Sequence, residues 1–128
     1  MTKPIAYLFK SDKPTKKWAM FFPTPSMKVV YFGQKPYRDL VLMSDKSSKH
    51  YVADSKQRNK IKQAYQSRHA GDRLTDPESP GSMSMTILWQ MPTLRGGMSN
   101  YSRKYAYKVV DKTRETYSKE DALKLISG

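Results

Sequence analysis

Cationic side chains recur along this chain on both sides of a cation-free stretch at 74–94, and the apolar runs are short throughout. Residues 1–38 hold eight lysines and arginines against one aspartate, residues 46–73 hold eight against two acids, and residues 92–128 hold eight against four. The longest apolar runs, such as Trp18–Phe22, are five residues long, about a quarter of a membrane span. A core must therefore be assembled from many short elements. With 128 residues the chain reads as one basic domain, 1–128, with a modest core and no room for a two-lobed enzyme. Its lysine-bearing start lacks the apolar stretch of a signal peptide.

Ile5–Phe9 and Lys17–Phe22 are rich in aromatic residues and are separated by a turn-forming segment that contains Asp12 and Pro14, so they read as a hairpin. Met27–Phe32 alternates, is β-branched and stops at Gly33, which predicts a third strand. Asp39–Met43 is apolar but too short for its period to decide, and is expected as a fourth strand. Asp54 is an N-cap candidate and Gly71 a helix terminator, which predicts a helix between them. At about 100° per residue, Ile61, Ala64, Tyr65 and Arg68 share its packing side, while Lys56, Lys60 and Gln63 lie opposite. Asp72–Ser82 reads as a loop. Ser82 is expected to cap a helix over Met83–Gln90, Pro92 to stop it, and Gly96–Gly97 to form a mobile turn. Asn100–Val110 reads as helix and then strand, and Ser118 with Asp121 as a capping box before a C-terminal helix. The fold class is α+β: a small antiparallel sheet of three to five strands packed with two or three short helices.

The balance of 24 lysines and arginines against 11 acids gives a formal charge of +13, which attracts polyanions at long range. Because the excess is distributed, the folded surface itself is expected to meet phosphate. The candidate contacts are Lys46 and Lys49 in the basic connection, Lys56, Lys60 and Lys62 on the helix, Arg73 in the loop, and Arg103 and Lys104 near the end of the later helix. Aromatic residues are interleaved with them and could stack on bases where exposed. With no cysteine, disulfides, thiolate nucleophiles and thiolate metal sites drop out together, and His50 and His69 are the whole imidazole inventory. The chain reads as a soluble protein of a reducing compartment, with no membrane insertion, no metal and no cofactor.

One stretch carries a possible active site. Arg68 and His69, followed by Asp72, Asp76 and Glu78, could serve a nuclease, with carboxylates on magnesium, the imidazole as base and the guanidinium on phosphate. Such acids need rigid supports, and Asp76 and Glu78 flank Pro77 in a loop. The competing reading is a structural clasp, in which Tyr65, Leu74, Ile87, Leu88 and Trp89 pack together and Arg68 pairs with Asp72 or Asp76. No phosphate-binding glycine loop or paired-histidine motif accompanies the acids, so a non-enzymatic protein is expected.

Tyr31-Phe32-Gly33, Tyr37, Asp39, Tyr65, Arg68-His69, Gly81, Ile87-Leu88-Trp89, Pro92 and Asn100-Tyr101 together resemble a small basic domain family encoded by large DNA viruses of algae and amoebae (phycodnavirus- and mimivirus-like). The resemblance covers about residues 18–107. The chain departs from it in a longer basic connection, Ser44–Ala53, and in Ser82–Thr86, where the family tends to carry an aromatic residue. The activity of that family is not established, so the resemblance implies a setting, the virion and the host cytoplasm or nucleus during assembly; with the distributed charge, the expectation is a virion structural protein that binds DNA without sequence specificity. A minor capsid protein contacting acidic protein partners without DNA, and a nuclease-like enzyme using residues 68–78, are the alternatives.

Overall fold

The computed structural model describes residues 3–25, 27–71 and 74–127. Strands β1 (Ile5–Lys10), β2 (Lys16–Phe22) and β3 (Lys28–Gln34) form an antiparallel meander, with Leu8 opposite Met20 and Ala19 opposite Tyr31. Strand β4 (Lys108–Thr116) joins the other side of β1, giving the order β3-β2-β1-β4. It runs parallel to β1, so the expected all-antiparallel sheet is corrected to a mixed one. The reason is the connection: a helix over Leu94–Tyr105 delivers the chain back to the starting end of β1, where Lys108 N–H donates to the Pro4 carbonyl at 2.8 Å. Parallel pairing needs a crossover of this kind.

Alternation along the strands divides the core in two. Ala6, Leu8, Met20, Phe22 and Phe32 face the larger cluster, while Phe9, Ala19 and Phe21 face the smaller one. The larger face is covered by α1 (Leu40–Ser44), α2 (Ser55–Arg68), α3 (Pro80–Met83), a π-helical turn (Ser84–Trp89) and α4 (Leu94–Tyr105). Helix α5 (Lys119–Ser127) covers the smaller cluster with Ala122 and Leu125, and Ser118 Oγ accepts from the Asp121 amide at 3.1 Å as its cap. The class is the expected α+β, with more helices than foreseen.

Three expectations are corrected on the larger face. The fourth strand expected at Asp39–Met43 is helix α1: Asp39 caps it by accepting from the Leu42 amide at 2.8 Å, and Leu40 and Met43, three apart, are both buried. The helix expected from Met83 starts earlier, at Pro80, because Ser79 rather than Ser82 supplies the capping hydroxyl and proline suits a first helical position. It continues in π form through Trp89. Gly96 and Gly97 lie not in a mobile turn but in the first turn of α4, capped by Thr93, whose hydroxyl accepts from the Gly96 amide at 3.0 Å.

Gly97 lets α4 press against the π-helix, since a Cβ there would collide with the Ile87 carbonyl. Asn100 then reaches across, its side-chain amide donating to Thr86 O at 2.9 Å and to Gln90 Oε1 at 2.8 Å. Gly97→Ala is expected to lower unfolding free energy by about 2–3 kcal/mol, the scale of overpacking, measured by urea denaturation. A wild-type midpoint would mean that the two helices separate without cost.

The loop before α3 is pinned by tyrosine hydroxyls. Tyr101 donates to Pro77 O and Tyr105 to Leu74 O, each at 2.5 Å, and Tyr107 donates to Glu78 Oε2 at 3.1 Å. Burial pushes the Tyr101 phenol up strongly; burial, then the Glu78 hydrogen bond, pushes Tyr107 from 10 to about 12. A phenol with a raised native pKa holds its proton more tightly in the fold. Its contribution is therefore complete below pH 10, the unfolded value, and is lost as pH rises to about 12. Thermal melts should show stability falling across that alkaline window, and Tyr107→Phe should make the fall shallower.

Candidate nucleic-acid interface

A groove of about 650 Å³ opens between α2 and the β3 edge of the sheet. Lys16 and Lys17 come from the start of β2, Gly33 from the end of β3, Tyr37 and Arg38 from the following loop, and Lys60, Arg68 and His69 from α2 and its C-cap. Gly33 takes a positive φ of 77°, and a Cβ there would approach Leu88 Cδ1 to 3.0 Å. The strand continues through Gln34, paired with Lys16, and the chain leaves the sheet at Lys35–Pro36, where the Tyr37 amide donates to the Gln34 carbonyl at 3.2 Å.

The floor of the groove is aromatic. The Tyr65 ring stacks on Trp89 at 4.1 Å and 7°, and its other neighbour, His69, stacks at 4.2 Å and 27°. Gln66 Nε2 donates to Trp89 O at 3.3 Å. Trp89 is 6% exposed, so the stretch from α2 to Trp89 is the clasp, with Leu74 packed on the same core. Tyr37, by contrast, is 67% exposed at the rim.

The carboxylate that lines the groove is already engaged. Asp39 is buried, caps α1 through Oδ1, and accepts from Lys17 Nζ through Oδ2 at 2.7 Å. A buried carboxylate held by both a cation and a backbone amide is neutralised in place. Lys16, Arg38, Lys60 and Arg68 then remain, and among the described residues none of them forms an ion pair. Lys16 meets a neutral partner, Gln34 Oε1, at 3.3 Å. Arg38, Lys60 and Arg68 are exposed. Four cations around an open groove with its acid locked away present charged donors of the kind that phosphate oxygens accept.

Of the contacts expected from sequence, Lys60 alone lines this groove. Lys46 and Lys49 stand exposed between α1 and α2, Lys56 is exposed in the first turn of α2, and Lys62 is half-buried. Arg103 lines a different cleft, Lys104 stands over the Tyr105 ring at 5.5 Å, and Arg73 lies outside the described residues. Lys16, Lys17 and Arg38 escape sequence reasoning because their approach to α2 depends on the sheet. Tyr37, Asp39, Tyr65, Arg68 and His69 are visible as a series of motifs, and that series converges here. The expected pairing of Arg68 with Asp72 lies outside the described residues, and with Asp76 no ion pair forms among them.

Of the acids of the possible catalytic stretch, Asp72 lies outside the described residues, and Asp76 and Glu78 are used elsewhere. Asp76 Oδ1 accepts from the Glu78 amide at 3.0 Å, closing a turn, and Glu78 pairs with Lys28 at 2.6 Å and accepts from Tyr107. The hydrogen bond from Lys28 to Glu78 holds the Lys28 ammonium above its ordinary range. Among the described residues no group of three or more histidines and acids could hold a metal ion, and no helix is long and apolar enough to cross a membrane. No protein family, curated protein or solved structure matches the chain.

Proposed function

We propose that this is a non-enzymatic nucleic-acid-binding protein that grips the phosphate backbone without sequence preference, serving as a small structural component of a virion. The reading rests on one observation: Lys16, Arg38, Lys60 and Arg68 converge on one groove whose carboxylate is already bound by Lys17. Long, mobile cations suit phosphate, which every sequence presents equally. The virion setting follows the resemblance of the Tyr37, Arg68-His69 and Leu88-Trp89 series to the viral family; there, small cationic proteins neutralise packed genome.

Fluorescence anisotropy with duplexes of unrelated sequence tests the function. Equal affinities that fall steeply with salt are expected, because counterions released from DNA drive such binding. Flat salt dependence, or capture of acidic proteins in place of DNA, would move the protein to the minor-capsid alternative. Supercoiled plasmid incubated with protein and magnesium should stay intact. Nicking that His69→Ala abolishes would make the groove catalytic.

A further inference from the structure

A second cationic cleft, about 900 Å³, lies between α4 and β4. Arg95 and Arg103 line it from the helix, and Lys108, Lys112 and Arg114 from the strand, against two acids, Asp111 and Glu115. Glu115 is paired with Lys112, while hydrogen bonds from Thr113 and then the charges of Arg114 and Arg95 hold the Asp111 carboxyl below its usual range, so the five cations keep an excess over the two acids. Asp111 Oδ1 accepts from the Thr113 amide at 2.9 Å and its hydroxyl at 2.6 Å, and Glu115 lies 3.7 Å from Lys112. Arg95, Arg103, Lys108 and Arg114 have no ion pair among the described residues. They form a set comparable to the four cations of the first groove.

Sheet topology sets the two sites apart. β3 and β4 are the two edge strands, separated by three strand spacings of about 4.8 Å, or roughly 14 Å. The first groove has the π-helix residues Leu88 and Trp89 in its wall, the second has Met98 of α4, and those two helices pack on each other. The clefts therefore lie on either side of a shared wall.

We propose that the cleft between α4 and β4 is a second nucleic-acid site, and that the protein ties two duplex segments together, one at each edge of its sheet. This rests on the reading of the first groove as a DNA site and adds condensation to simple binding. It makes the protein bivalent, so that two segments of one long DNA meet at the effective concentration set by the DNA that links them.

A bead assay with the full chain separates the two claims. One duplex is immobilised, protein is added, and capture of a second, fluorescent duplex is measured beside anisotropy on a single duplex. The double variant Lys108→Glu, Arg114→Glu alters two exposed side chains, and its thermal melt checks the fold. It should bind a single duplex within about threefold of wild type and lose capture of the second by about tenfold or more. If the variant captures as well as wild type, or if wild type binds one duplex and captures no other, bridging through this cleft is overturned while the first groove stands. If wild type binds no duplex at all, both readings fall.

Discussion

Trp89→Ala is expected to lower unfolding free energy by about 3–5 kcal/mol, the range for truncating a buried aromatic residue, measured by urea denaturation. The physical reason lies in α2, which has no buried residue and only a weak apolar stripe. It is held to the core by Ile61 and Tyr65, by the Arg58 guanidinium on the Val52 carbonyl at 2.6 Å, and above all by the stack of Tyr65 on Trp89. Removing the indole deprives Tyr65 of its flat partner and leaves a cavity that α2 is poorly placed to fill. DNA affinity should fall with stability, because α2 is one wall of the groove. Asp76→Ala should cost less than about 1 kcal/mol, as exposed charges do. Glu78→Ala should cost more, roughly 1–2 kcal/mol, since it leaves Lys28 and Tyr107 without their acceptor. A Trp89→Ala protein that melts like wild type would remove the clasp.

Reversing Lys60 and Arg68 to glutamate should leave the fold intact and weaken duplex binding by about a hundredfold at low salt. The slope of log affinity against log salt should flatten by about two, one for each phosphate that is no longer neutralised. Both side chains are exposed on the groove side of α2, which corrects the expectation that Lys60 lies opposite Ile61, Tyr65 and Arg68, and neither forms an ion pair among the described residues. Reversing Lys46 and Lys49 changes net charge by the same amount on a surface outside the groove, and should cost only a few-fold. Equal losses from the two pairs would mean that total charge rather than the groove binds DNA.

The contrast between those pairs shows what a sequence of this kind can and cannot reveal. Strands β1 to β3 are legible because their aromatic and β-branched runs end at turn-forming residues, and α2 because Asp54 caps a polar periodic stretch. Helix α1 is not, since five residues carry no decisive period and the choice falls to the Asp39 cap and the burial of Leu40 and Met43. Gly96 and Gly97 suggest freedom, yet Gly97 is used for close helix packing. For the site, the excess of cations is plain in the sequence but their convergence is not. Lys16 and Arg38 meet Lys60 through a sheet pairing and a turn at Lys35–Pro36, and no local pattern encodes that distance. Arg68 stands out in the sequence as a partner for an acid in the loop, whereas its open side faces the groove.

The pairing of β4 with β1 joins segments about a hundred residues apart in the chain, Ile5 lying beside Lys108. During synthesis the three-stranded meander can form early, but its β1 side stays an open edge until Lys108–Thr116 have left the ribosome. Such an edge invites pairing with neighbouring chains, and closing it by a distant strand is slow. A protein made in large amounts at once would pass through this exposed state at high concentration. Lys3 and Lys10, near either end of β1, place like charge where two such edges would meet, and so oppose their association before the final strand arrives.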